Sequence, residues 1–261
     1  MIHVGIDNHA ATATLSGGSW SSDWPLTKLQ SADLSAVARS SDATNASTVI
    51  QWDNGAAKNH DAVVLAAHNL STSATIKLSL GTSAGGSQVY AGTDVAAYSV
   101  DDSDRNGISH IAVIMLPTTQ SARYGKLEIK DSGNADGYVE VGYLWAGSGL
   151  RPTYNAAYGL QDRIIDHSES ERTYGGRFLG NARRRYRQVS LVLEWVTLDE
   201  AEVIHRMQRV NGKVNPVLYL PSMESRENAQ RYGFVGVMSE LSPIQYPFYR
   251  MRSAPMLIEE L

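Results

Sequence analysis

The chain has 261 residues, 43% of them apolar and 19% charged, which is enough for one large or two ordinary domains with buried cores and excludes a disordered chain. It has no cysteine, which excludes disulfides and thiolate metal sites. The net charge of −4 is uneven: residues 1–150 hold 8 basic against 14 acidic side chains, residues 151–261 hold 15 against 13, and a chain this acidic overall is a poor general binder of nucleic acid.

In chain order, the first part reads as short strands. "STVIQWD" (47–53), "DAVVLAAHNL" (61–70) and "ATIKLSL" (74–80) follow one another closely. In the last, Ile76, Leu78 and Leu80 share one face and Lys77 and Ser79 the other, the period-2 signature of a half-buried strand. "ISHIAVIMLP" (108–117) is apolar almost throughout and predicts a strand covered on both faces. "YGKLEIKD" (124–131) points Leu127 and Ile129 inward, and "YVEVGYLWAG" (138–147) puts Val139, Val141, Tyr143 and Trp145 on one side. Turn clusters such as "GTSAGGS" and "DSGNADG" separate these runs, so the first part predicts a β-sandwich or jelly roll. "GSGLRPTYNAAYGLQDR" (147–163) reads as the crossing to a second unit, giving domains 1–149 and 150–261.

The second part opens on "GNARRRYRQVSLVLEW" (180–195). Read as one strand, it places Arg183, Arg185 and Arg187 on the face of Val189, Leu191, Leu193 and Trp195, a face that begins cationic and becomes core. A strand reaching beyond its own domain toward a neighbour has this pattern. Next comes one clear helix, centred on 198–210, with Thr197 and Glu200 as a capping box, Leu198, Ala201, Ile204 and Met207 as the buried stripe, and Asn211-Gly212 as the stop. Strands follow at 215–221, 232–241 and 247–261. The predicted class is therefore all-β: an N-terminal jelly-roll sandwich, then a β-rich domain with one α-helix.

The candidate functional residues are few. Arg183, Arg184, Arg185 and Arg187 suit an intersubunit or interdomain ion-pair role, because guanidinium pairs carboxylates in a planar, bidentate way; a solvated structural patch and direct nucleic-acid contact through Tyr186 are the alternatives. Trp20 and Trp24, outside the apolar strands, are candidate carbohydrate contacts, whereas Trp52, Trp145 and Trp195 are expected in the core. Asp102, Asp104 and Asn106 match the start of a calcium loop, but its twelfth position is Val113 rather than glutamate, so an acidic turn competes with a calcium site. His68 is expected to be a structural hydrogen-bonder. No nucleophile elbow, P-loop, Rossmann glycine pattern or metal-binding histidine spacing occurs, so no enzyme activity and no cofactor other than calcium are expected. No apolar run approaches the ~20 residues of a membrane helix. The N-terminus lacks a basic segment followed by an apolar core, so synthesis in a cytoplasm without processing is expected.

"DWPLTKLQSADLSAVARS", "DAVVLAAHNLSTSATIKLSL" and "GYVEVGYLWAG" together resemble the galactose-binding-like jelly roll of tail and baseplate proteins of long-tailed bacteriophages. "SESERTYGGRFLGNARRRYRQVSLVLEWVTLDEAEVIHRMQRVNGKVNPVLYLPS" resembles the β-plus-one-helix ring domain of phage minor and distal tail proteins. Distal tail proteins place the ring domain first, so the domain order here departs from theirs. The resemblance implies a structural virion protein of the tail, made in the bacterial cytoplasm, forming or decorating a hexameric ring between tail tube and baseplate. Its expected partners are further copies of itself and other tail tube and baseplate proteins. The jelly roll would dock baseplate proteins or, as the alternative function, bind a host-surface glycan.

Overall fold

The computed structural model describes residues 1–98, 111–247 and 251–261. In chain order the elements are β1 His3–Asn8, a 3-10 turn at His9–Thr12, β2 Thr14–Ser16, a second 3-10 turn at Leu26–Gln30, β3 Ala38–Arg39, β4 Val49–His68, β5 Thr75–Gly81, β6 Tyr90–Ala91, β7 Val95–Ala96, β8 Ile111–Lys130 and β9 Glu140–Leu150. Then come β10 Gln161–Ile165, β11 Glu169–Arg172, β12 Phe178–Asn181, β13 Tyr186–Val196, α1 Leu198–Val210, β14 Val217–Leu220, α2 Arg226–Tyr232, β15 Phe234–Glu240 and β16 Arg252–Glu260. With 49% strand and 12% helix, the expected β class is what forms. The short α2 was not expected from the sequence.

β4 and β8 organise the first half. Each is 20 residues long, and they pair along most of that length. Two register shifts, between Asp53 and Lys58 and between His60 and Ala62, bend the ribbon. Bulges of this kind increase local twist and turn a strand corner. The sheet therefore folds over itself, and Ile50 and Trp52 from one arm of β4 meet Val63 and Leu65 from the other in one core. Ile76, Leu78, Leu80, Leu127 and Ile129 join it, as the alternation predicted.

In the second half, α1 lays Ala201, Ile204 and Met207 across β13, β16, β15, β14 and β1. The capping box forms: Thr197 accepts from the Glu200 backbone, and the Glu200 side chain accepts from the Thr197 backbone N–H. Leu198 lies off the expected stripe and is exposed.

The halves are zipped together by the N-terminal strand. β1 pairs antiparallel with β14 on one edge and with β9 on the other, so one 14-stranded sheet runs through the molecule. Ile2, Val4 and Ile6 enter the core beneath α1. A third cluster, with Ala62, Val64, Tyr143 and Trp145 against Leu218, Leu220, Ala229 and Val235, fills the space between the halves. β4, β9 and β14 are thus buried on both faces, which explains unbroken apolar runs such as Val217–Leu220.

Three local expectations are corrected. Val139 and Val141 face the sandwich core, but Tyr143 and Trp145 face the cluster between the halves. The strand changes face at Gly142, opposite Ala67, whose φ of 53° marks a kink. Trp195 is not core: a register shift between Leu193 and Val196, with φ of 60° at Trp195, leaves the residue 47% exposed. The arginine strand begins only at Tyr186, and Arg187, expected to reach past the core, is buried within the chain.

Candidate functional site

The four arginines have different fates. The Arg187 backbone N–H and Nε donate to Glu260 Oε2 (3.0 and 3.1 Å), and Nη2 donates to Glu260 Oε1 (3.1 Å). Nη1 and Nη2 also donate to the Arg231 and Gly233 carbonyls, at 2.9 and 3.2 Å. The guanidinium lies 5.1 Å from the Phe234 ring centroid. Arg187 is therefore engaged in closing the β13–β16 edge of its own chain. Arg183 and Arg185 pair with Glu169 (2.9 Å) and Asp166 (2.8 Å) on the surface, and Arg184 makes no ion pair among the described residues. The Asp166 carboxyl is held at about 2 by hydrogen bonds from Ser168 and Arg185. The calcium-loop candidates Asp102, Asp104 and Asn106 lie outside the described residues.

Trp20 and Trp24 also separate. Trp20 bridges Ser40, packs on the sandwich core, and its Nε1 donates to the Val49 carbonyl at 3.2 Å, so its ring is held in the wall. Trp24 stands out at 39% exposure. Its carbonyl accepts from the Arg39 backbone N–H at 3.0 Å, which fixes the Trp24 loop along β3.

Around Trp24 the fold assembles a surface that spacing along the chain does not reveal. The Arg39 guanidinium lies 4.1 Å from the Trp24 ring centroid and 4.3 Å from that of Tyr138. Its Nε donates to Glu140 Oε1 at 2.6 Å. A cation held between two aromatic faces and tied to a carboxylate gains stacking, charge attraction and a fixed orientation at once. The β3–β9 pairing that sets Arg39 opposite Glu140 supplies the register.

Asn69 braces the rear of this surface. Its Oδ1 accepts from the Glu140 backbone N–H at 2.7 Å, and its Nδ2 donates to the Tyr138 carbonyl (3.1 Å) and to Asp136 Oδ2 (2.9 Å). Asn134 donates to the Asn69 carbonyl and to Asp131, and Asp131 in turn accepts from the Ser71 backbone and hydroxyl. Arg39 and Glu140 keep 30% and 22% of their side-chain surface exposed, so both remain reachable from solvent. The result is an indole platform beside pre-oriented donors and acceptors. That combination binds flat, polyhydroxylated ligands through ring stacking and paired hydrogen bonds. Sequence reading named Trp24; it missed Arg39, Tyr138 and Glu140, which no local motif marks.

Other titratable groups are sealed. His3 is buried, neither ring nitrogen takes a hydrogen bond, and burial drives its pKa below the usual histidine value despite nearby Asp61. Burial holds the His60 pKa at about 4, and its Nδ1 sits 2.9 Å from the Lys58 carbonyl. His68 Nδ1 meets the Tyr98 hydroxyl at 3.1 Å, the hydrogen-bonding role expected of it. Among the described residues no group of three or more His, Asp or Glu is placed to hold a metal ion.

No protein-family model and no curated protein matches the chain. Among solved structures it is similar to the lectin domain of lectinolysin complexed with Lewis b antigen, with 18% identity, a TM-score of 0.42, and coverage of 56% of this chain and 99% of that one. It is also similar to the family 32 CBM from C. perfringens NanJ in complex with galactose (12% identity, TM-score 0.40, 56% and 98% covered). A Streptococcus pneumoniae fucose binding module is a third (13% identity, TM-score 0.39, 54% and 94% covered).

Proposed function

We propose that this chain is a non-catalytic glycan-binding protein whose contact surface is the Trp24–Arg39–Tyr138 stack with Glu140. The observation that carries this reading is the exposed Trp24 indole, held in a fixed orientation by the Arg39 guanidinium. A sugar ring would stack on the indole, and its hydroxyls would pair with the guanidinium and carboxylate edge. The test is a titration of the full chain against a panel that includes galactose, fucose and Lewis b oligosaccharide, followed by calorimetry. Trp24→Ala is expected to weaken binding by about tenfold or more, since loss of one stacking platform is worth on the order of 1–2 kcal/mol, while the lost Arg39 contact lowers the thermal midpoint by only about 1–4 °C. A chain that binds none of the panel, or a Trp24→Ala variant that binds as tightly as the parent, would refute the reading.

A second reading, a self-assembling tail component of a virion as the sequence resemblance implies, is favoured by one observation. Tyr158, Ile164, Tyr174, Phe178 and Leu179 all project from the region of β10 and the β11–β12 hairpin with more than 45% of their surface exposed. Apolar side chains clustered on an exposed hairpin mark an association surface. Residues 158–187 also hold seven arginines against four acidic residues, +3 within a chain of −4, so the hairpin would be drawn to the acidic remainder of another copy. Arg183, Arg184 and Arg185 would then act at that interface. Light scattering that finds only monomer at high micromolar concentration would remove this reading. The two are compatible, since a ring at a tail tip could present the Trp24 surface outward.

A further inference from the structure

A second recess lies away from Trp24, where β1 passes between the halves. Its volume is ~500 Å³, within the range of small-molecule sites. Its walls come from the end of β1, the two 3-10 turns, Tyr143 on β9 and the segment after α1. Both halves of the molecule are needed to form it.

The polarity of the walls follows from hydrogen bonding. Gln30 Nε2 donates to the Ala10 and Ala13 carbonyls, each at 2.8 Å. Asn211 Nδ2 donates to the Ile6 and Pro216 carbonyls at 3.0 and 3.1 Å, and Asn215 Nδ2 donates to the Val210 carbonyl at 2.9 Å. Carbonyl partners fix which end of each amide is nitrogen, because a reversed amide would set oxygen against oxygen. Gln30 and Asn211 therefore have both amide N–H donors engaged in the fold and their oxygens left over, whereas Asn215 keeps one N–H as well as its oxygen. Asn211 is only 6% exposed, and its Oδ1 has no hydrogen-bond partner. That oxygen is sealed from solvent, so the amide oxygens of the less buried Gln30 and Asn215 are the acceptors the walls offer.

The remaining groups restrict charge. Asp7 has both carboxylate oxygens bound by Arg206, at 2.8 and 2.7 Å, so it offers no uncompensated charge to an ammonium ion. The Tyr143 hydroxyl accepts from Asn8 Nδ2 at 3.0 Å, which leaves its own proton to donate. Val210 and Val214, 55% and 78% exposed, give the mouth an apolar lip. Amide acceptors, donors from the Tyr143 and Thr12 hydroxyls, the His9 ring and the second Asn215 N–H, a carboxylate already paired and an apolar edge together describe a polyol, which both donates and accepts.

We infer that this cleft is a second ligand site, distinct from the Trp24 surface, for a small uncharged polyhydroxylated molecule of roughly one or two sugar rings. The inference rests on the wall chemistry and stands apart from the Trp24 reading.

The test is a ¹H–¹⁵N titration of the labelled full chain with lactose and with sucrose, using putrescine as a cationic control. Saturable shifts are expected at the Gln30, Asn211 and Asn215 side-chain amides with a disaccharide. Putrescine should produce none. The shifts should persist in Trp24→Ala and be lost in Ala32→Trp, which places a large ring at an exposed lining position, and in Val214→Trp. Absence of saturable shifts with both sugars, shifts indifferent to both blocking variants, or a stronger response to putrescine would overturn the inference. If Trp24→Ala abolishes every sugar-induced shift, the cleft falls and the Trp24 surface stands. If cleft shifts persist while no glycan responds to Trp24, the reverse holds.

Discussion

Replacing Arg187 by alanine should destabilise the protein strongly, although its neighbours in the sequence are dispensable. The Arg187 and Glu260 side chains are 7% and 6% exposed, so their pairing takes place away from water. Alanine would leave the Glu260 carboxylate without its cation and remove the hydrogen bonds that Arg187 donates to the Arg231 and Gly233 carbonyls. Removing one member of a buried ion pair typically costs about 3–5 kcal/mol, most of it the desolvation of the charge left behind. At roughly 2–4 °C per kcal/mol for a chain of this size, the thermal midpoint should fall by about 6–20 °C. The assay is urea and thermal unfolding followed by near-ultraviolet circular dichroism at neutral pH. Arg183→Ala and Arg185→Ala are the controls; these side chains are 53% and 67% exposed, and both variants should melt with the parent. Arg187→Met combined with Glu260→Met should recover most of the loss, because the stranded charge is gone. An Arg187→Ala variant that loses less than about 1 kcal/mol would refute the reasoning, since the guanidinium would then be reaching solvent or another chain.

Two more outcomes follow from the same geometry. Burial lowers the pKa of His60 to about 4 and also lowers those of His3 and His9, so below pH 6.5 the unfolded chain binds protons that the folded chain refuses. Stability should be complete above pH 6.5 and decline as the pH falls toward 4, with His60 contributing on the order of 3 kcal/mol over that window; urea midpoints in His60→Phe should show a flatter slope, and an unchanged slope would contradict the assignment. Gly147→Ala should open the zip between the halves, because a Cβ there would lie 1.7 Å from the Asp7 carbonyl oxygen, in the β1–β9 ladder. The cost is about 1–3 kcal/mol or more, and amide exchange should accelerate first in residues 3–8; protection equal to the parent would show that β1 is held by other means.

What sequence alone determined was local. The Thr197–Glu200 box and the Ala201–Ile204–Met207 stripe are legible within one segment, because a capping box spans four residues and an amphipathic face repeats every three or four. The alternation of Ile76, Leu78 and Leu80 likewise states its own face. Trp24 was recognisable as a tryptophan outside any apolar run.

Tertiary structure decided everything that depends on register and partner. Trp195 has the sequence context of a core residue, yet it sits within a bulge, between Leu193 and Val196, that turns it outward. Arg187 belongs to a run of surface arginines, and only β16, which brings Glu260 from 73 residues away, makes it interior. Arg39 and Glu140 are separated by 101 residues and meet because β3 pairs with β9. Periodicity reports which way a side chain points relative to its neighbours along the chain. It carries no information about which distant segment waits on that side, and in this protein the Trp24 surface and the cleft beside β1 are both built from such meetings.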